Sequence, residues 1–342
     1  MKKQIILIIS MLLAVSVSSG IIAFFLKRNN SSDGTHSTDS ENTIYTDTEN
    51  TTSSSNATET TASSSCEAQT TPPLIGEEAD DSFVSPQIFI YSITESSFLY
   101  EKGTELPILP ASITKLLTAL YALEAMPKDT VIQPGNELDL VGKGSSIAYI
   151  KTWHKLTLEM LIEGMLLPSG NDAAYAVAAG VARYITGNQN MSGSAAVSFF
   201  MERVNEYAKS IGCTGTYYSV PDGLIYENHY TTAHDLAIIA EKALENEIIM
   251  KYAGTITDKV FYESGETMTW NNTNQLIHRD SPYYRDCVTG LKTGSLTDSY
   301  SVLVSTDIKG ASYIIGVFGA PNSDGRFSDA VKIIDILHKA AE

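Results

Sequence analysis

A tract of 54 residues, Asn29 to Ser82, decides how much of this chain can fold. It is built from Ser, Thr, Asn, Asp and Glu, with runs such as Thr51-Thr52-Ser53-Ser54-Ser55 and Ser63-Ser64-Ser65, and it has almost no apolar residue before Leu74-Ile75. Such a sequence buries too little surface to offset the entropy of ordering its backbone, so it reads as a disordered linker. The foldable part of the 342-residue chain is then residues 83–342, room for one large domain or two medium ones. As a flexible coil the tract reaches about 40 Å, and roughly 180 Å when fully extended. That suits a tether, and equally a spacer of no selected length.

The same tract accounts for most of the charge. The chain carries 40 acidic and 23 basic residues, a formal net charge of −17. Eleven acids and no Lys or Arg fall within 29–82, whereas residues 83–342 hold 29 acids and 19 bases. A balance this acidic argues against nucleic acid as a partner, because that needs a basic face. Residues 1–28 differ again: Gln4 to Leu26 is an uncharged run of 23 residues between Lys2-Lys3 and Lys27-Arg28. A helix of that length spans a hydrocarbon core of about 30 Å. A cleaved signal has a shorter core of roughly 7–15 residues, although Val17-Ser18-Ser19 offers a cleavage site. The run reads as an N-terminal membrane anchor with the remainder exported, or secreted if cleavage occurs. Positive charge on both flanks leaves orientation open. Of three cysteines Cys66 lies in the linker, so at most one bridge, Cys213 to Cys287, is available.

From Phe83 the pattern becomes globular. Gln87 to Ile93 and Ser97 to Glu101 read as strands joined by a polar turn. Ala111 to Ala125 has helical spacing, with Ile113, Leu116, Leu117 and Leu120 on one face. Leu156–Met165, Asp172–Tyr184, Ala196–Ser210 and Thr232–Glu245 read as further helices. Lys259–Tyr262 and Thr267–Trp270 form a hairpin around Ser264-Gly265, Tyr300–Thr306 and Tyr313–Phe318 are strands, and Phe327–Ala341 is an amphipathic helix. Strands at both ends and helices between them predict one antiparallel sheet with a helical insertion.

Three short patterns carry chemistry. Ser112-Ile113-Thr114-Lys115 opens a helix, with Lys115 one turn beyond Ser112 and on its face. A serine hydroxyl needs a base within hydrogen-bond reach. A lysine serves only when neutral, and burial or a neighbouring cation pushes it that way. The helix start also presents N–H groups toward a developing oxyanion. Ser169-Gly170-Asn171 lies between two apolar helices, where a plain helix cap is the ordinary reading. Lys292-Thr293-Gly294 precedes the strand from Tyr300. A Lys and a Thr hydroxyl on a strand edge suit an anionic group, and the Gly lets a ligand approach the backbone. Each pattern is weak alone; their order and surroundings make the signal.

That combination resembles the serine penicillin-recognising enzymes. Within them the chain is most similar to the D-alanyl-D-alanine carboxypeptidases, the low-molecular-mass penicillin-binding proteins. The likeness covers about residues 83–342. It extends to Pro110-Ala111, Gly144-Ser145-Ser146, Leu166-Leu167-Pro168, Asp172-Ala173, Pro221-Asp222-Gly223-Leu224, Thr232-Ala233-His234-Asp235-Leu236 and Gly290-Leu291. The resemblance implies a β-lactamase/transpeptidase-like α/β (α+β) fold, an antiparallel sheet flanked by helices with the site between sheet and helical part. It implies Ser112 as acyl-forming nucleophile and Lys115 as its base. Ser169 would relay a proton to the leaving amine, and Asn171 would orient the lysine and the substrate amide. Lys292 and Thr293 would bind the substrate carboxylate, with Gly294 beside them. The N–H groups of Ser112 and Ser295 would form the oxyanion hole, and Arg326 would assist carboxylate recognition. The implied substrate is a peptidoglycan stem pentapeptide, with β-lactams as inhibitors and neither metal nor organic cofactor. Many members carry a further β-rich domain and a C-terminal anchor. This chain stops after the helix ending near Ala341, so the N-terminal segment would replace that anchor at the cell membrane, with the catalytic domain outside.

Two alternatives share the motif logic. A serine β-lactamase needs a carboxylate that activates water, and Glu241-Lys242-Ala243-Leu244-Glu245 is the nearest sequence match, in a helical pattern and ending in Glu. A penicillin sensor would add further membrane spans beyond Gln4–Leu26 and a His-Glu-x-x-His protease, and neither is in the sequence. His229 and His234 read as loop and helix-start residues rather than metal ligands, and no Gly-x-Ser-x-Gly pentapeptide occurs.

Overall fold

The structure is a computed structural model that describes residues 75–224 and 227–342. The proposed anchor, and the linker as far as Leu74, lie outside the described residues. Within the tract read as linker, helix α1 spans Glu77–Asp81, and Ile75 and Phe83 on its flanks are both buried. Two apolar residues on either side of a five-residue acidic helix suffice to pin it. Lys102 Nζ donates to Asp80 O at 2.9 Å, and Tyr100 hydrogen-bonds the Asp80 carboxylate.

Strands β1 (Gln87–Ser92) and β2 (Ser97–Lys102) form a hairpin. A 3-10 turn, Ala111–Ile113, leads into α2 (Thr114–Ala125). The short strands β3 (Val131–Ile132) and β4 (Leu156–Thr157) pair with each other, with a 3-10 turn at Asn136–Leu140 between them. Helices α3 (Leu158–Leu166), α4 (Asn171–Thr186), α5 (Gly193–Ser210), α6 (Ala233–Leu244) and α7 (Glu247–Gly254) follow. The hairpin β5 (Thr257–Phe261) and β6 (Thr267–Asn271) stands as a separate two-stranded sheet. The chain then returns through β7 (Val288–Leu296), β8 (Ser299–Ile308) and β9 (Ala311–Ala320), and ends in α8 (Ser323–Ala340).

The main sheet has five antiparallel strands in the order β2-β1-β9-β8-β7. N-terminal and C-terminal strands therefore share one sheet, as the sequence pattern predicts. Its two faces follow the period-two rule. Ile88, Ile90, Val302, Val304, Ile315 and Val317 pack with Phe327, Ile333 and Ile334 of α8. Phe89, Leu303, Ile314 and Phe318 turn the other way, into the core shared with α2 to α7. Helix α2 is buried on nearly all sides, as a helix at the centre of a core must be.

Two elements differ from expectation. Helix α7 escapes the periodic pattern because only Ile249, Tyr252 and Ala253 are buried; it is started by Asn246, whose Oδ1 accepts from Ile248 and Ile249 N–H at 3.1 Å each. Lys292-Thr293-Gly294 precedes the strand β8 as expected, but it also lies within a strand of its own, β7, at the edge of the sheet. Cys213 and Cys287 are both free thiols.

Candidate active site

The turn that carries Ser112 is held from below by the Pro221–Leu224 segment. Ala111 has φ +50 and Ser169 has φ +61, both left-handed and both beside the reacting groups. Each costs of order 1–3 kcal/mol and persists only where surrounding contacts impose it. At Ala111 one such contact is visible: Gly223, at φ +83, lies so close that any Cβ would run into Ala111 O. That explains the Pro-Asp-Gly-Leu run, which sequence reasoning noticed without assigning it a task. The preceding residue, Asp222, contributes its backbone carbonyl to the site.

Lys115 is fully buried, and its Nζ sits among three oxygens: Ser112 Oγ at 2.7 Å, Asn171 Oδ1 at 2.8 Å and Asp222 O at 2.9 Å. Helix spacing alone brings Ser112 to Lys115, whereas Asn171 arrives from the start of α4. The Ser169–Asn171 corner is fixed from the backbone. Asn171 N–H donates to Ser146 O (2.8 Å), and Gly170 N–H donates to Gly164 O (3.0 Å). Asp172 completes the clamp by accepting from the N–H groups of Ala148 (2.7 Å), Ile150 (2.8 Å) and Ala173 (2.9 Å).

Across the cleft, Lys292 Nζ donates to Ser169 Oγ at 2.9 Å and to Thr293 O at 3.1 Å, with the side chain buried. Gly294 brings β7 against the nucleophile turn. A Cβ there would lie 2.9 Å from both Ala111 Cβ and Pro110 O, and 3.5 Å from Ser112 N. Ser295, one residue on, is exposed. The structure thus brings Ser112, Lys115, Ser169, Asn171, Lys292, Thr293, Gly294 and Ser295 to one place.

Arg326, expected to assist carboxylate recognition, lies in the first turn of α8 with its guanidinium turned to β7. It is buried, and its Nη1 donates to Gly294 O (2.7 Å), Ser295 Oγ (2.9 Å) and Ser301 O (3.2 Å), while Nη2 donates to Ser323 Oγ (3.1 Å). Its guanidinium is engaged with β7 and its neighbours, so it braces the strand and adds a positive field.

Burial is the first cause of the shifts here. It lowers Lys115 to about 8, against the opposing pull of the Asp222 and Asp172 carboxylates. Lys292 is held well below its usual range by burial, then by repulsion from Lys115 and Arg326. Arg326 is lowered to about 10 by burial. Two buried ammonium groups within one network oppose each other, so the free site favours a deprotonated lysine near neutral pH. Of the two causes the sequence suggested for Lys115, burial and a neighbouring cation, burial is the one that acts first.

His229 and His234 do not converge. His229 accepts from Ser219 N–H at Nδ1 (3.1 Å), which leaves Nε2 to donate to Thr114 Oγ1 (2.9 Å), and its ring stacks on Tyr218. His234 packs on Phe98. Glu241 and Glu245 line a cavity of about 480 Å³ with Ile211, Ile238 and Leu244, a set that does not include Ser112.

A family model described as D-alanyl-D-alanine carboxypeptidase matches residues 79–322, well over half of the chain. The chain belongs to the D-alanyl-D-alanine carboxypeptidase family. Among curated relatives, DacF of Bacillus subtilis is 30% identical over 248 residues, covering 71% of this chain and 59% of that protein. A D-alanyl-D-alanine carboxypeptidase of Streptomyces sp. K15 is 31% identical over 247 residues, covering 69% of this chain and 81% of the relative. The chain thus spans little more than half the length of DacF. In fold the chain is similar to the Streptomyces K15 DD-transpeptidase, with a TM-score of 0.66 at 26% identity, covering 75% of this chain and 97% of that structure. Penicillin-binding protein D2 of Listeria monocytogenes, solved with ampicillin bound, shares the fold at a TM-score of 0.60 and 21% identity, covering 75% of this chain and 98% of that one. The three short patterns singled out in the sequence all fall among the clustered residues. What the motifs do not name is the Asp222 carbonyl, the Asp172 clamp and the Asn272-Thr273-Asn274 segment.

Proposed function

We propose that this protein is a serine D-alanyl-D-alanine carboxypeptidase, which removes the terminal D-alanine from peptidoglycan stem peptides through an acyl-enzyme on Ser112. The observation that carries this is the buried Lys115 Nζ, 2.7 Å from Ser112 Oγ and lowered to about 8. A neutral Lys115 takes the Ser112 proton as Oγ attacks the carbonyl carbon of the penultimate D-alanine. The close approach of Gly294 to Ser112 N favours an oxyanion hole from the N–H groups of Ser112 and Ser295. Lys292 donates to Ser169 Oγ, so the Ser169 proton is free to turn toward the leaving nitrogen. Lys292 and Thr293 bind the terminal carboxylate, which restores charge to Lys292, and Arg326 holds β7 in place behind them. Water then cleaves the ester by the reverse proton path, releasing a chain shortened by one D-alanine. A β-lactam carries a carboxylate and a strained amide and would acylate the same serine.

The test is D-alanine release from a pentapeptide ending in D-Ala-D-Ala, alongside labelled-penicillin binding, for the parent and Ser112→Ala. Loss of both in the variant is expected. Undiminished release would overturn the mechanism; trapping of penicillin without release would favour a sensor, and fast penicillin turnover a β-lactamase. We further propose that Gln4–Leu26 anchors the protein at the cell membrane with residues 83–342 outside. No helix among the described residues is long and apolar enough to cross a membrane. Deleting residues 1–28 should move the protein from the membrane fraction to the soluble one, and continued membrane retention would contradict the anchor.

A further inference from the structure

The loop after β6 places a residue from outside all three motifs against the carboxylate-binding pair. Thr273 Oγ1 lies 2.6 Å from Thr293 Oγ1. Its backbone N–H donates to Leu167 O at 3.2 Å, two residues before Ser169. One half-buried threonine therefore touches both the Lys292-Thr293 strand and the segment that leads into Ser169.

Its neighbours are locked. Asn272 is buried, and its Nδ2 donates to Tyr252 O (3.3 Å), Ala253 O (3.2 Å) and Thr255 O (3.0 Å) at the end of α7. Its Oδ1 accepts from Asn274 N–H (2.9 Å), and its carbonyl is bonded to His278 Nε2 (2.8 Å). Asn274, also buried, accepts from Leu276 N–H at 3.1 Å. The Asn272 side chain and the Asn274 Oδ1 thus hold the loop that carries this hydroxyl, which is the support a binding group needs.

A hydroxyl has one proton and two acceptor positions. In the free pair either threonine can donate. A carboxylate only accepts, so Thr293 must donate to it and must then accept from Thr273. The donated bond also strengthens the next one in the chain. We infer that Thr273 is a positioning residue for the substrate's terminal carboxylate: its hydroxyl donates to Thr293 Oγ1 and so directs the Thr293 proton onto the anion. The inference deepens the carboxylate site proposed above and rests on that reading of Lys292 and Thr293.

Binding without turnover tests it. In a Ser112→Ala background, the affinities of N-acetyl-D-alanyl-D-alanine and of its C-terminal amide are measured by titration calorimetry, with Thr273 as parent, Val and Ser. Thr273→Val should weaken the acid roughly 3- to 10-fold, the scale of one net hydrogen bond. The amide should be unaffected, and Thr273→Ser should restore the acid. A purely structural role would weaken acid and amide together and would not be rescued by serine. Equal losses on the two ligands, no loss on either, or a parent that binds acid and amide alike would each overturn the inference. A protein that prefers the acid yet, with Ser112 intact, releases no D-alanine would sink the enzymatic reading and leave the role of Thr273 standing.

Discussion

The site contains two buried lysines, and they are not equivalent. Lys115, on the helical side, is surrounded by fixed oxygens and has the carboxylates of Asp222 and Asp172 acting on it. Lys292, on the sheet side, meets a hydroxyl and a carbonyl, and the charges acting on it are the cations Lys115 and Arg326. A cation among acceptors can gain and lose a proton with little rearrangement. An amine discharged by burial and by neighbouring cations takes up its proton when the substrate brings an anion. The difference assigns proton transfer to the first lysine and carboxylate recognition to the second.

Each side can be broken separately. Lys115→Ala should lower kcat/KM for D-alanine release by roughly 10²- to 10⁴-fold, mostly in kcat, the range of a general base. Stopped-flow acylation would show this, and a loss confined to KM would contradict the assignment. The nucleophile side should also be acid-labile through His229. Burial lowers this imidazole from its ordinary 6.5 to about 4, and it must charge when the chain unfolds. Its contribution, about 3 kcal/mol at most, is present above pH 6.5 and is lost as the pH falls toward 4. Urea unfolding across that range should show a falling midpoint that His229→Gln flattens.

On the sheet side the effects should be smaller and of another kind. Lys292→Gln should raise KM roughly 10- to 100-fold for the loss of a charge-assisted bond, with kcat less affected. Smallest is Gly294→Ala. The added methyl meets Ala111 Cβ and Pro110 O at 2.9 Å, so either the nucleophile turn or β7 must shift. Stability should drop by about 1–3 kcal/mol, with slower acylation; thermal unfolding and an acylation rate measured together would show whether the two losses travel together.

Much of the nucleophile side was legible because its chemistry is local. Ser112 and Lys115 are one helical turn apart, and that spacing survives any tertiary arrangement. Asn171 and Lys292 were legible only as motifs, since nothing in periodicity brings α4 or β7 to Ser112. β7 itself stayed hidden because Gly290 and Gly294 weaken a strand pattern, although Gly294 is what allows the strand to approach. A backbone carbonyl such as that of Asp222 leaves no residue-type signature. Thr273 looked like any polar loop residue until Asn272 and Asn274 were seen to fix it. Arg326 was found by its place at the start of the last helix, which begins at Ser323 and not at Phe327, but the direction in which its guanidinium is engaged depends on the β7 backbone. The acidic α1 was hidden by its composition, since Ile75 and Phe83 do the anchoring rather than the helix.

The most direct test of the division between the lysines is the pH dependence of Ser112 acylation by penicillin, in the parent and in Lys292→Gln. The rate should rise with pH through a single ionisation and level off above about 8, as Lys115 loses its proton. Lys292→Gln should slow the reaction yet leave that midpoint in place, because burial and not the neighbouring amine lowers Lys115. A rate that falls with rising pH, or a midpoint that Lys292→Gln shifts, would contradict the account.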